Sequence, residues 1–315
     1  MVPRTLFVGT PEFAVASLEA LVRLSRESIV GVISQPDKPQ GRHRRIEATP
    51  VKRAALGANL RLFQPPKIKS PQAQEIIEGL APELIIVVAY GQILPKWLLD
   101  IPCFGALNVH ASLLPQYRGA APLQRAILSG ERTTGISLML MDEGMDTGPV
   151  ISQSEFAIGG DETSGELAAR VSDLAAKFLV SELPGYLAGE KASRAQDSSL
   201  ATYAPPLRKD EGGIRFAVTA SDLHNRVRAL NPWPLAHCRC GDALLTVHRT
   251  RLFAGDNRPA SPGELLGCDQ DAMWVQCGAG QISLVQVQAP GKRAVSGRDF
   301  ANGLRLRAGF RFSDG

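Results

Sequence analysis

Three polar side chains in the middle of the chain have types and spacing that suit joint chemistry. Asn108 and His110 stand two apart in the run Ala106-Leu-Asn-Val-His110-Ala111, which reads as a strand. Alternation along a strand turns both to one face and Val109 to the other. Ligands of open α/β sheets bind beyond the carboxyl ends of the strands, so an amide donor and an imidazole presented there can reach one substrate atom. The third is Asp146, in the glycine-punctuated turn Asp142-Glu-Gly-Met-Asp146-Thr-Gly148-Pro149. A carboxylate beside an imidazole orients the ring and stabilises its charged form. Together the three groups suit passage of a neutral acyl group through a tetrahedral intermediate, by transfer or hydrolysis. Each also has a plainer role on spacing alone. A histidine beside a loop is commonly structural, Asn108 could brace a turn, and Asp146 could tie its own turn by accepting backbone N–H bonds.

Other chemistries find less support. No Gly-x-Ser-x-Gly elbow marks a nucleophile, and Gly9-Thr-Pro11 lacks the spacing of a dinucleotide or phosphate loop. The five cysteines (103, 238, 240, 268 and 277) are odd in number and scattered, which predicts reduced thiols. Cys238 and Cys240 share a strand face with no second ligand pair, so no metal site is expected.

The elements that must position these groups alternate in type. Short β-branched runs at Leu6–Val8, Ile29–Ser34, Leu60–Phe63 and Leu84–Tyr90 are separated by helical patterns. Thr10, Thr49 and Ser70 each precede a proline at a predicted helix start. This pattern predicts an α/β fold with a doubly wound, mostly parallel sheet covered on both faces. It continues through predicted strands at Ala106–Ala111, Ile136–Met141 and Val150–Phe156, and a long helix near Ser164–Leu183 closes the domain. Residues 1–189 are therefore expected as a catalytic domain and 190–208, rich in Ser, Ala, Asp and Pro, as a linker. Short alternating runs spaced by glycine in residues 209–315 predict a small β-barrel or sandwich rather than another βαβ unit.

Length, composition and charge bound the rest. A chain of 315 residues with 44% hydrophobic and 21% charged residues has ample material for a core. Its longest apolar run, Leu84–Tyr90, falls short of the roughly 20 residues a bilayer crossing needs. The first ten residues lack the pattern of a secretory signal, which leads us to expect a cytoplasmic protein. Net charge is +4, but residues 201–315 carry 15 basic against 10 acidic side chains, while residues 38–69 carry nine basic ones and the single acid Glu47. A polyanion could rest on both.

Asn108-Val-His110-Ala-Ser-Leu-Leu-Pro115-x-Tyr-Arg-Gly119, with Asp142-x-Gly-x-Asp146-Thr-Gly148, resembles the 10-formyltetrahydrofolate-dependent formyltransferases and hydrolases. Phe7–Ala14, Gln35–Arg42, Val87–Gly91 and Asn231-Pro-Trp-Pro234 narrow the resemblance to members acting on initiator methionyl-tRNA. It implies a Rossmann-like formyltransferase domain followed by an OB-like barrel that binds tRNA. It further implies Asn108, His110 and Asp146 as the catalytic set and 10-formyltetrahydrofolate as co-substrate, with no metal. Ser112, Leu113, Leu114 and Pro115 would contact the folate. Arg42 matches a basic-loop arginine implicated in tRNA binding, with Lys38, Arg44 and Arg45 beside it. A monomer without a membrane partner is expected. Formyltransferases for a sugar or nucleotide amine, or a formyltetrahydrofolate hydrolase, are the alternatives on the same scaffold.

Overall fold

A computed structural model describes residues 2–40, 45–253, 255 and 259–315. Its contacts divide into two compact units. The first runs to Pro122 and takes in Thr134–Phe156 and Ala168–Ala204; the second comprises Leu123–Thr133, Ala157–Leu167 and Pro205–Gly315.

The first part of the chain holds strands β1 (Thr5–Gly9), β2 (Ile29–Ile33), β3 (Lys38–Gln40), β4 (Arg45–Glu47), β5 (Leu62–Phe63), β6 (Leu84–Val88), β7 (Ala106–His110), β8 (Thr133–Leu140) and β9 (Val150–Ala157). Interspersed are helices α1 (Val15–Ser25), α2 (Pro50–Gly57), α3 (Pro71–Leu80), α4 (Lys96–Leu99), α5 (Pro122–Leu128) and α6 (Ser164–Leu187). Seven strands form one sheet in the order β5-β2-β1-β6-β7-β8-β9, and β3 pairs with β4 in a separate two-stranded sheet. Strands β5 through β7 run parallel, whereas β8 is antiparallel to β7. Every residue of β1, β6 and β7 is buried, as the continuous apolar runs require of strands covered on both faces. The order reverses between β1 and β6, which puts the ligand-binding crevice of such a sheet at their carboxyl ends.

Local capping is legible at two helix starts and misleading at a third. Thr49 accepts from Lys52 N at 3.2 Å and Ser70 from Ala73 N at 3.3 Å, each ahead of a proline at the first turn. Thr10 caps nothing. Its hydroxyl donates to Tyr90 O at 3.1 Å and accepts from Gln35 N at 3.3 Å, so the chain enters α1 through a 3₁₀ turn at Glu12–Ala14 instead.

Residues 190–208, expected as a linker, carry regular backbone bonds within the first unit as far as Ala204. Val150 and Arg194 exchange N–H···O bonds of 2.8 and 2.7 Å, Arg118 N donates to Thr202 O, and Ala204 N donates to Arg118 O.

The second unit is built on α7 (Ala220–Ala229), β10 (Ala236–Cys240), β11 (Ala243–Phe253), β12 (Leu265–Cys268), β13 (Met273–Gln276), β14 (Gln281–Gln288), β15 (Val295–Ser296) and α8 (Gly297–Leu304). The order is β10-β11-β14-β13-β12 with β15 on β14, antiparallel throughout. Its two edges are joined by the last residues. Arg239 of β10 exchanges bonds with Ser313, Phe312 N donates to Gly263 O, and Glu264, at the head of β12, bridges to Arg311. Closure through Arg311–Ser313 makes the sheet a barrel around Phe216, Leu245, Ile282, Leu284 and Phe312. Among the described residues no helix is long and apolar enough to cross a membrane.

Candidate active site

The carboxyl end of β7 brings the three sequence-predicted groups together. Alternation on this strand turns Asn108 and His110 the same way, and neighbours β6 and β8 hold it from both sides through Val87, Met139 and Ser137. The turn between β8 and β9 carries Asp146 to the same place. Asn108 Nδ2 donates to Asp146 Oδ1 at 3.3 Å, and His110 Nδ1 lies 3.6 Å from Asp146 Oδ2. Both strand residues are more than nine-tenths buried, so the carboxylate acts at short range in a poorly solvated spot.

Backbone groups complete the set. Tyr117 O sits 2.9 Å from His110 Nε2; a carbonyl only accepts, which assigns the Nε2 proton and leaves Nδ1 facing the carboxylate. Gly119 N donates to Asp146 Oδ2 at 2.8 Å. Gly119 has φ +122°, and a Cβ there would stand 2.8 Å from Ala204 O, so only glycine lets the amide reach Asp146. Asp146 itself has φ +54°, a left-handed conformation costing roughly 1–2 kcal/mol for a residue with a Cβ. Gln196 Nε2 donates to the carbonyls of Asp146 and Gly148, and Gln196 Oε1 accepts from Arg118. Asp142 stays outside the cluster; it accepts from Gly144 N and Thr147 Oγ1 and shapes the turn.

The segment Ser112–Pro115 follows β7 directly. Ser112 is fully buried and its hydroxyl donates to Gln116 O at 2.6 Å, so its side chain shapes the loop from within. Ser137 Oγ donates to Ser112 O and accepts from Leu114 N and Gln153 Nε2, while Gln153 also reaches Leu114 O. Leu113 packs over Gly135. Leu114 and Pro115 border an open cavity of about 250 Å³ whose other walls include Val150, Gln153, Arg194 and Gln196.

The basic loop is described only at its margins. Lys38 is exposed, with Nζ donating to Gln35 Oε1 at 2.8 Å. Arg42 and Arg44 lie outside the described residues, and of Arg45 only the backbone, in β4, is described. Among the described residues no group of three His, Cys, Asp or Glu could hold a metal ion. The thiols of Cys238 and Cys277 are pushed up to about 12 by burial, which makes them poor nucleophiles.

Sequence reasoning missed Tyr117 O, Gly119 N, Ser137, Gln153 and Gln196. The first two are backbone atoms. Gly119 had a signal in the Arg-Gly pair ahead of a helix, whereas Gln196 sits in an aperiodic stretch and finds its partners far away in the chain.

The profile described as Formyl transferase matches residues 4–183, and that described as Formyl transferase, C-terminal domain, matches residues 206–305. The chain is 44% identical to the methionyl-tRNA formyltransferase of Myxococcus xanthus, over 98% of this chain and 97% of that protein. It is 42% identical to the enzyme of the same name from Citrifermentans bemidjiense, over 97% and 95%. Among solved structures, its fold is similar to that of an N-formyltransferase from Helicobacter canadensis in complex with folinic acid and dTDP-3-aminofucose. That match has a TM-score of 0.68 at 16% identity and covers 90% of this chain and 99% of that one.

Proposed function

This chain belongs to the formyl transferase family, and on that footing we propose that it moves the formyl group of 10-formyltetrahydrofolate onto the amino group of methionine esterified to initiator tRNA. The acceptor is favoured by the end-to-end similarity to methionyl-tRNA formyltransferases, which takes in both units. The reaction class is favoured by a carboxamide, an imidazole and a carboxylate converging on one point.

The donor set fits a neutral formyl group. Asn108 has a second amide proton beyond the one aimed at Asp146, and it would meet the formyl oxygen as negative charge builds there. Bound folate supplies an activated one-carbon unit whose leaving group is N10; Leu113, Leu114 and Pro115 would border it, with Ser112 holding the loop. His110 keeps Nε2–H on Tyr117 O and exchanges its other proton at Nδ1, on the side of Asp146. As an imidazolium it adds positive potential beside the oxyanion and helps move a proton towards N10. Asp146 takes up the proton that leaves the attacking amine, directly or through water.

Residues 1–189 form the catalytic domain in this reading, 190–208 the connection and 209–315 the tRNA-binding barrel. Lys38, Arg42, Arg44 and Arg45 supply phosphate contacts in this reading, and the basic residues after 200 supply more. The protein works in the cytoplasm as a monomer.

The deciding experiment offers the protein 10-formyltetrahydrofolate with methionine-charged initiator tRNA, charged elongator tRNA or a nucleotide-linked amino sugar. Formylation of the initiator species with release of tetrahydrofolate is expected. Preferential formylation of the sugar amine, or formate release without any acceptor, would replace this reading with one of the two alternatives.

A further inference from the structure

We propose that Gln196 is a positioning residue for formyl transfer, acting through Asp146; this rests on the reading of Asp146 as catalytic. The Gln196 carboxamide has partners on both sides. Oε1 accepts from Arg118 Nε at 3.1 Å and from Nη2 at 2.8 Å, while Nε2 donates to Asp146 O at 2.8 Å and to Gly148 O at 2.7 Å. Arg118 is buried, and its own backbone is held by Thr202 O and Ala204 N. One amide thus joins the loop that carries Tyr117 O and Gly119 N to the turn that carries Asp146.

The direction of a peptide carbonyl follows the ψ of its residue, so a bond to Asp146 O holds the backbone that aims the Asp146 side chain. The second bond, to Gly148 O, holds the turn two residues on. Gly119 N secures the carboxylate end at 2.8 Å. Such restraint from both ends is what a residue at φ +54° requires, because a released chain relaxes towards negative φ. Relaxation would swing the carboxylate away from His110 Nδ1 and Asn108 Nδ2. The residue touches no reacting atom; it sets where the Asp146 carboxylate stands.

The test measures kcat and KM for both substrates on the whole chain, alone and in a double-mutant cycle. Gln196→Met is expected to lower kcat about 10–100-fold, because misplacement by about 1 Å can cost that much, with each KM changed less than about threefold. In an Asp146→Asn background the same substitution is expected to change kcat less than about threefold, since its effect runs through the carboxylate already lost. Gln196→Glu keeps an acceptor for Arg118, removes the two donors and sets a carboxylate oxygen against the carbonyls of Asp146 and Gly148. It is expected to behave as Gln196→Met does, and it replaces that variant if circular dichroism shows Gln196→Met unfolded. Wild-type kcat in Gln196→Met beside an impaired Asp146→Asn overturns the positioning role alone. So does an equal fold-loss in both backgrounds, the behaviour of a purely structural prop, and so does failure of both Gln196 variants to fold. Full turnover in Asp146→Asn overturns the catalytic reading and this proposal together.

Discussion

With one amide proton facing Asp146 Oδ1, Asn108 has another, which in the proposed reaction would meet an oxygen that gains charge only as transfer proceeds. Its loss should therefore act on turnover and spare ground-state binding. Asn108→Ala is expected to lower kcat by a factor of about 10²–10³, or about 2.7–4 kcal/mol, the usual cost of one oxyanion donor. Folate affinity, followed by equilibrium titration, should stay within a few-fold; near-normal turnover would remove the oxyanion role. Asn108, His110 and Asp146 were readable in the sequence because strand alternation and a glycine-rich turn are local signals. Gly119 N and Tyr117 O were not, because a backbone atom's task is set by where the fold carries it. Gln196 is the extreme case, a polar side chain in an unpatterned stretch whose partners lie 48 and 50 positions away.

The same contrast between local and distant partners separates whole elements. Thr49 and Ser70 serve amides three residues on, so α2 and α3 begin where local chemistry says they should. Thr10 offers the same signal, but its hydroxyl is taken by Tyr90 O, 80 positions away, at the edge where β1 and β6 end. Helix α7 carries a different consequence. Its His224 is buried, with Nε2 2.9 Å from Gly160 O and Nδ1 2.9 Å from Thr250 Oγ1. Burial holds its pKa below the ordinary histidine value, Gly160 O opposes that shift, and Arg228 adds to it ahead of an opposing contribution from Asp161. The unfolded chain then binds more protons than the folded one below about pH 6.5. Stability contributed by neutral His224 is fully present above that pH and is lost as pH falls towards the folded-state value. Urea midpoints should accordingly drop between about pH 7 and about pH 5, and less steeply in His224→Gln. Equal pH slopes for the two proteins would show that His224 is not the group responsible.

Across the whole chain the balance of charge is uneven, with residues 1–200 carrying 20 basic and 21 acidic side chains and residues 201–315 carrying 15 and 10. That asymmetry, visible from composition, fits a catalytic sheet followed by a basic barrel for a polyanionic partner. The presence of a second unit of short strands was also legible, from short alternating runs spaced by glycine. The segment that closes it was not, because Arg311–Ser313 show no periodicity and take the place of a strand only by pairing with residues 239 and 263–264. Those last residues act as a seam, and unpicking a seam frees two selvedges at once. Removing positions 311–315 should expose unpaired amides along β10 and ahead of β12, and forfeit the burial of Phe312, on the order of 3–5 kcal/mol for a large core side chain. Light scattering of the shortened protein should reveal sticky, self-templating material, while a monodisperse product of unchanged melting temperature would refute the expectation.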